Sequence, residues 1–154
     1  MNYNEYLLST EQDTKNLAVK FAKIAKRGDV FALYGTLGMG KSVFSRAFIQ
    51  ELCKAEDVPS PTFTLLQTYE APNFDIYHYD LYRLKHPDEV FELGIEDAFY
   101  NAVCLIEWPD KMGGYLPKDI FIIEILPFNN GRKIRVSASS AEKQTRLSLI
   151  GDFL

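Results

Sequence analysis

The sequence predicts an α/β fold, a mixed β-sheet flanked by helices and finished with antiparallel hairpins. Three observations predict it. Residues 29–34 (DVFALY) form a short apolar run that passes through a glycine-rich turn into an amphipathic stretch, a strand–loop–helix unit. After Pro59-Ser60-Pro61 the spacing changes, and segments bounded by turn residues read as strands. Residues 103–106 (VCLI) are apolar at successive positions, as in a strand covered on both faces.

The elements follow in order. The chain is expected to open with a helix. Ser9 or Thr10 offers an N-cap, Ser9 and Gln12 stand at capping-box spacing, and Leu17, Phe21 and Ile24 form one stripe before Gly28. The strand at 29–34 leads into a turn over 35–40, and Phe44, Phe48 and Leu52 mark a second helix over 41–54. Strands at 62–70 and 75–82 are joined by Ala71-Pro72-Asn73-Phe74 as a hairpin. His86-Pro87-Asp88 starts a short helix that ends near Gly94, and a further helical turn covers 95–100 before the strand at 103–106. Strands at 119–126 and 133–139 are split by the turn Asn129-Asn130-Gly131, and a last helix covers 141–150. No repeat, linker or biased tract interrupts this order, so the 154 residues read as a single domain.

Composition narrows the class. With 47% apolar and 25% charged residues, the chain is of ordinary globular type and excludes collagenous and largely disordered classes. No apolar run approaches the roughly 18 residues a membrane span needs, and the first residues carry no basic and apolar leader. Cys53 and Cys104 lack companions at metal-ligand spacing and read as reduced, buried thiols of a cytoplasmic protein.

The net charge of −4 is unevenly spread: residues 1–54 carry +3, residues 55–110 carry −10 and residues 111–154 carry +3. An acidic middle is poorly suited to gripping nucleic acid unaided, because phosphate neutralisation supplies most non-specific affinity. It suits a divalent metal or a basic partner protein, and equally a solvated acidic face.

One motif decides the chemistry. Residues 35–42, Gly-Thr-Leu-Gly-Met-Gly-Lys-Ser, match G-x-x-x-x-G-K-[ST] in full, with an apolar strand before and an amphipathic helix after. A chance match at four fixed positions arises in roughly 0.5% of chains this size, so nucleotide binding is the expectation. Gly35, Gly38 and Gly40 let the backbone turn tightly and aim amides at phosphate oxygens, joined by the amides of Met39, Lys41, Ser42 and Val43 as the helix starts. Lys41 supplies a point charge for the β- and γ-phosphates, and the Ser42 hydroxyl is a hard oxygen ligand for Mg²⁺.

A phosphate-bound Mg²⁺ calls for a carboxylate at the end of a neighbouring buried strand, where ligands of open α/β sheets bind, and Glu107 stands there. Asp80 ends another strand; from spacing alone it could bind metal, orient water or pair with Arg83. Tyr77, Tyr79 and Tyr82 read as packing, and His78 and His86, without Cys or His companions, read as structural.

From about Thr10 to Ser139 the chain resembles the TsaE family, the bacterial tRNA threonylcarbamoyladenosine biosynthesis ATPases. The resemblance rests on the P-loop combined with Ser60-Pro61-Thr62-Phe63-Thr64-Leu65, His78-Tyr79-Asp80-Leu81-Tyr82-Arg83-Leu84, Glu92-Leu93-Gly94-Ile95 and Leu105-Ile106-Glu107-Trp108-Pro109. It implies a P-loop NTPase-like sheet that holds ATP or ADP, with Mg²⁺ on Ser42 and Glu107, Asp80 as a further acid at the metal or water, and Thr62 in a nucleotide-sensing switch. It also implies adenine contacts near Thr10 and Arg132. Met39 stands where the family usually has alanine; its side chain is expected to point away from phosphate. The family works with TsaD and TsaB, which place threonylcarbamoyl on adenosine 37 of tRNAs reading ANN codons, so contact with tRNA is expected only through that complex. ATP hydrolysis is implied to reset the complex between cycles.

The competing expectation is a small-molecule or nucleoside P-loop kinase. A kinase lid needs several arginines, and of the six present only Arg132 and Arg135 lie close together. A GTPase-type switch lacks the Asn-Lys-x-Asp element that reads guanine.

Overall fold

A computed structural model describes residues 3–36, 40–54, 58–61 and 64–151. Its centre is one seven-stranded sheet, ordered β1-β7-β6-β2-β5-β4-β3. The strands are β1 (Tyr3–Leu8), β2 (Val30–Tyr34), β3 (Leu66–Glu70), β4 (Asp75–Asp80), β5 (Ala102–Glu107), β6 (Phe121–Phe128) and β7 (Gly131–Ala138). Strands β6, β2, β5 and β4 run parallel, whereas β1 and β7 at one edge and β3 at the other pair antiparallel. The mixed sheet and its antiparallel edges are as expected.

Among the described residues four α-helices flank the sheet: α1 (Glu11–Ile24), α2 (Lys41–Cys53), α3 (Ile95–Asn101) and α4 (Ala141–Ser148). One sheet face presents Phe31, Leu33, Val103, Leu105, Phe121 and Ile123 to Leu17, Phe21, Phe44 and Phe48 of α1 and α2. Phe31 anchors that layer, stacked on Phe121 with centroids 4.8 Å apart and edge-on to Phe48 at 5.2 Å. The other face, narrower, packs Ala32, Tyr79, Cys104 and Ile106 against Val90, Ile95, Ala98 and Met112. Strand alternation therefore sends even-numbered residues of β4 and odd-numbered residues of β5 toward α2.

The structure corrects several expectations. The chain opens with β1, not with a helix; Tyr6 and Leu8 are buried while Tyr3, Glu5 and Leu7 face out. The cap of α1 is Thr10, whose side chain accepts from the Asp13 amide, while Asp13 accepts from the Ser9 and Thr10 amides; Ser9 and Gln12 do not form the box. Asp13 wins because its carboxylate reaches both preceding donors. Residues 64 and 65 turn before β3 begins at Leu66, and residues 87–93 and 109–115 form 3-10 helices. Strand β4 ends at Asp80, and Tyr82 is exposed against Trp108 instead of packing in the core.

Both cysteines are free; Cys104 is buried and Cys53 is only half-buried. Burial pushes the Cys104 thiol up to about 12. Above pH 9 the unfolded chain releases this proton while the folded chain keeps it. Stability is therefore expected to fall as pH rises from about 9 toward 12, by about 1.4 kcal/mol per pH unit from this group. Urea midpoints at pH 8 and pH 10 check this: Cys104→Ala should show a shallower alkaline loss than the parent chain, and equal losses would contradict the assignment.

Candidate functional site

The site lies at the carboxyl end of the parallel strands, where β2 gives way to α2. Gly35 turns the chain immediately beside β6: a Cβ there would stand 2.8 Å from the Ile125 carbonyl oxygen. Gly40 caps α2 at φ +101°, a conformation that favours glycine, and a Cβ on it would meet the Arg132 guanidinium at 3.1 Å. The first amides of α2 have no side-chain cap, which leaves them for an anion. Gly38 and Met39 lie outside the described residues, as does Thr62. Val43 is half-buried in the first turn of α2.

Lys41 is buried, donates from Nζ to the Gly35 carbonyl at 2.6 Å and sits 3.5 Å from the centre of the Trp108 ring. Burial lowers its pKa, and the negative charges of Glu107, Asp80 and Asp110 act against that lowering. Ser42 donates to Glu107 Oε1 at 3.3 Å, joining residues 65 positions apart. Glu107 is buried, and its Oε2 lies 2.6 Å from His78 Nε2. Asp80 is also buried, stands directly opposite Glu107 in the β4–β5 register, and accepts from the Tyr82 amide at 3.1 Å.

The chain leaving Ser60-Pro61 is tied to the same place. Leu65 donates its amide to the Pro61 carbonyl at 2.6 Å and accepts from the Asp80 amide at 3.0 Å. Leu65 (φ 66°) and Trp108 (φ 59°) both occupy the left-handed region, which costs on the order of 1–3 kcal/mol each and clusters at functional sites. Trp108 is held there by Lys41 over its ring and by Tyr82, 4.9 Å away.

Beside the P-loop lies a cavity of about 320 Å³, lined by residues 7–9 and 128–132. Arg132 connects the two, since its guanidinium leans against Gly40. Thr10 caps α1 next to Ser9, which lines the cavity. Arg135 is elsewhere: it pairs with Glu5 across β1 and β7 at 3.0 Å.

Lys41, Ser42, Asp80 and Glu107 thus converge, and Arg132 borders them. His78, expected to be merely structural, is in direct contact with Glu107. One signal for it was present in the sequence: two residues before Asp80 on a strand, it shares Asp80's face. Among the described residues no three of His, Cys, Asp and Glu form a ready-made metal cluster. The Ser42 hydroxyl and Glu107 carboxylate are hard oxygen donors within hydrogen-bond distance, a pair that fits an Mg²⁺ whose other ligands are phosphate and water. Also among the described residues, no helix is long and apolar enough to cross a membrane.

Trp108 offers an optical readout. A nucleotide phosphate that recruits Lys41 takes the ammonium off the indole, so tryptophan emission should change and saturate with ADP. Trp108 is the only tryptophan in the chain, so an unchanged spectrum at saturating MgADP would place this strand end away from the ligand.

A family model described as "Threonylcarbamoyl adenosine biosynthesis protein TsaE" matches residues 8–134. A protein from Rickettsia typhi named tRNA threonylcarbamoyladenosine biosynthesis protein TsaE is 41% identical over 130 residues, covering 84% of this chain and 90% of its own. The protein of the same name from Bacillus subtilis is 38% identical over 109 residues, covering 70% and 68%. Among solved structures, the crystal structure of Bacillus subtilis YdiB superposes with a TM-score of 0.79 at 27% identity, covering 97% of this chain and 94% of that one.

Proposed function

Because the chain belongs to the TsaE family, we propose that it is a Mg²⁺-dependent ATPase that serves tRNA threonylcarbamoyladenosine biosynthesis with TsaD and TsaB. One observation carries the ATPase part: the Ser42 hydroxyl meets the Glu107 carboxylate at 3.3 Å, bringing the phosphate loop's metal ligand to a buried strand-end acid.

The roles follow from position. The loop amides and Lys41 would hold the β- and γ-phosphates of ATP, or the β-phosphate of ADP, and Ser42 and Glu107 would hold Mg²⁺. Bound there, Mg²⁺ neutralises charge that develops on the phosphates during transfer. Asp80, beside Glu107 and tied to Leu65, orients water or a metal ligand and links the site to the switch that contains Thr62. The cavity over Ser9 and Arg132 takes the base, with Thr10 behind it. The kinase alternative finds less support, since Arg135 is engaged with Glu5 on the sheet and is not part of a lid.

Hydrolysis serves the partners by resetting TsaD and TsaB between rounds, in the cytoplasm, with tRNA reached only through them. The acidic stretch 55–110, at −10, contains Asp80, Glu107 and the switch, so association with a basic partner surface should weaken with salt. The test is multiple-turnover threonylcarbamoylation of tRNA by TsaD and TsaB, with and without this protein, alongside phosphate release. A protein that leaves turnover unchanged and phosphorylates a small acceptor instead is a kinase, and the proposal fails.

A further inference from the structure

His78 is a buried imidazole that the phosphate chemistry above does not use. Its Nε2 lies 2.6 Å from Glu107 Oε2, whereas Nδ1, also buried, has no hydrogen-bond partner among the described residues. A carboxylate only accepts, so the proton between them belongs to Nε2, and the unpartnered Nδ1 is the lone-pair nitrogen. Among the described residues, the hydrogen bond that accounts for a polar ring in this apolar layer, between Ile76 and Asp80 on the same face of β4, is the one to Glu107.

The register makes the contact informative. His78 stands opposite Leu105, while Glu107 stands opposite Asp80. Glu107 thus reaches back along the sheet to meet the imidazole, away from the carboxylate directly across from it. Two acids side by side on adjacent strands repel, and a donor on one flank of Glu107 resolves that conflict by fixing where its charge lies. With Oε2 held by His78, Oε1 is left facing the Ser42 hydroxyl at 3.3 Å.

We propose that His78 is a positioning residue: its Nε2–H holds one oxygen of Glu107 so that the other is presented beside Ser42, setting the carboxylate before the metal–nucleotide complex arrives. This rests on the reading of Ser42 and Glu107 as the metal-binding pair. A partner that orients a ligand in this way is typically worth about 10–100-fold in metal affinity.

Three variants of the full chain test it: His78→Leu, which fills the space without a donor; His78→Gln, whose amide nitrogen reaches the place of Nε2; and His78→Asn, which falls short of it. ADP affinity is read from Trp108 emission in EDTA and across a Mg²⁺ titration, together with thermal midpoints. The expected result is ADP affinity in EDTA within about threefold of the parent for all three. The Mg²⁺ midpoint should rise about 10–100-fold in His78→Leu and His78→Asn and recover largely in His78→Gln. Equal Mg²⁺ midpoints for Gln and Asn, or a lowered thermal midpoint with an unmoved Mg²⁺ titration, would overturn the proposal in favour of core filling. If His78→Leu does not fold, the Gln–Asn contrast still decides. A parent chain indifferent to Mg²⁺ removes the functional reading and this one together, whereas a Mg²⁺-dependent parent with an indifferent His78→Leu removes this one alone.

Discussion

Lys41→Ala is expected to lower ATP hydrolysis by at least about 10²-fold while the protein stays folded. The ammonium lies between the Gly35 carbonyl and the Trp108 ring and next to three acids, so its removal deletes a charge at the phosphates together with one contact on Trp108, which Tyr82 still holds. The loop amides remain, so ADP should still bind, more weakly. Lys41→Arg should not restore the rate, because a planar fork replaces a compact charge in a site shaped around one. Phosphate release with and without TsaD, TsaB and tRNA, compared with the thermal midpoint, checks this; normal hydrolysis by Lys41→Ala would remove the P-loop assignment.

Arg146→Ala should do the opposite, costing stability and sparing chemistry. Arg146 on α4 makes a bidentate pair with Asp29 at 2.5 and 2.8 Å, bonds the Ile24 carbonyl at 2.9 Å, and also holds Glu142. Both Asp29 and Arg146 are buried. Deleting the guanidinium leaves the Asp29 carboxylate with the Lys26 amide at 2.8 Å and the Lys143 ammonium at 4.0 Å. Breaking a buried pair from one side costs about 3–5 kcal/mol, or a fall of roughly 10 °C in thermal midpoint for a chain this size. Asp29 precedes β2 whereas the P-loop follows it, so ADP affinity measured well below the midpoint should be close to that of the parent. Calorimetry gives the first number and fluorescence titration the second. A midpoint lowered by less than about 2 °C would mean that the pair contributes nothing net.

These two residues also mark what could be read in advance. Lys41 was legible because its neighbours in sequence are its neighbours in space: strand, loop and helix are contiguous, and the chemistry is local. Glu107 was legible because four apolar residues ending in an acid describe a buried strand and its exit. The Arg146–Asp29 clamp was not, since it joins residues 117 positions apart and neither carries a local pattern. His78 was discounted for lack of Cys or His companions, yet its partner is a carboxylate on the adjacent strand, a relation fixed by β4–β5 register alone. Strand β1 escaped notice for a related reason. Asn4 and Glu5 are poor strand formers, only Tyr6 and Leu8 face the core, and the strand exists because β7 accepts it. For α1 the sequence offers Ser9 or Thr10 as the cap and Thr10 takes it; the box expected between Ser9 and Gln12 forms between Thr10 and Asp13 instead, because only the Asp13 contacts decide.

The pairing of β1 with β7 has a consequence for how the protein is made. Tyr3 meets Ser137 and Leu8 meets Arg132, so the first of the seven described strands waits for the seventh. At a translation rate of about 5–20 residues per second, that wait is roughly ten seconds, during which the phosphate loop and β5 can already be assembled. The cavity beside the loop is shared between these two late-meeting segments, with residues 7–9 on one wall and 128–132 on the other. On the nucleotide reading proposed above, the growing chain would acquire its phosphate grip before this cavity closes, and high nucleotide affinity would arrive only when the outer strands have paired. Nucleotide capture should then report the pairing of β1 with β7, and ligand present during synthesis should favour the closed sheet by mass action at that step.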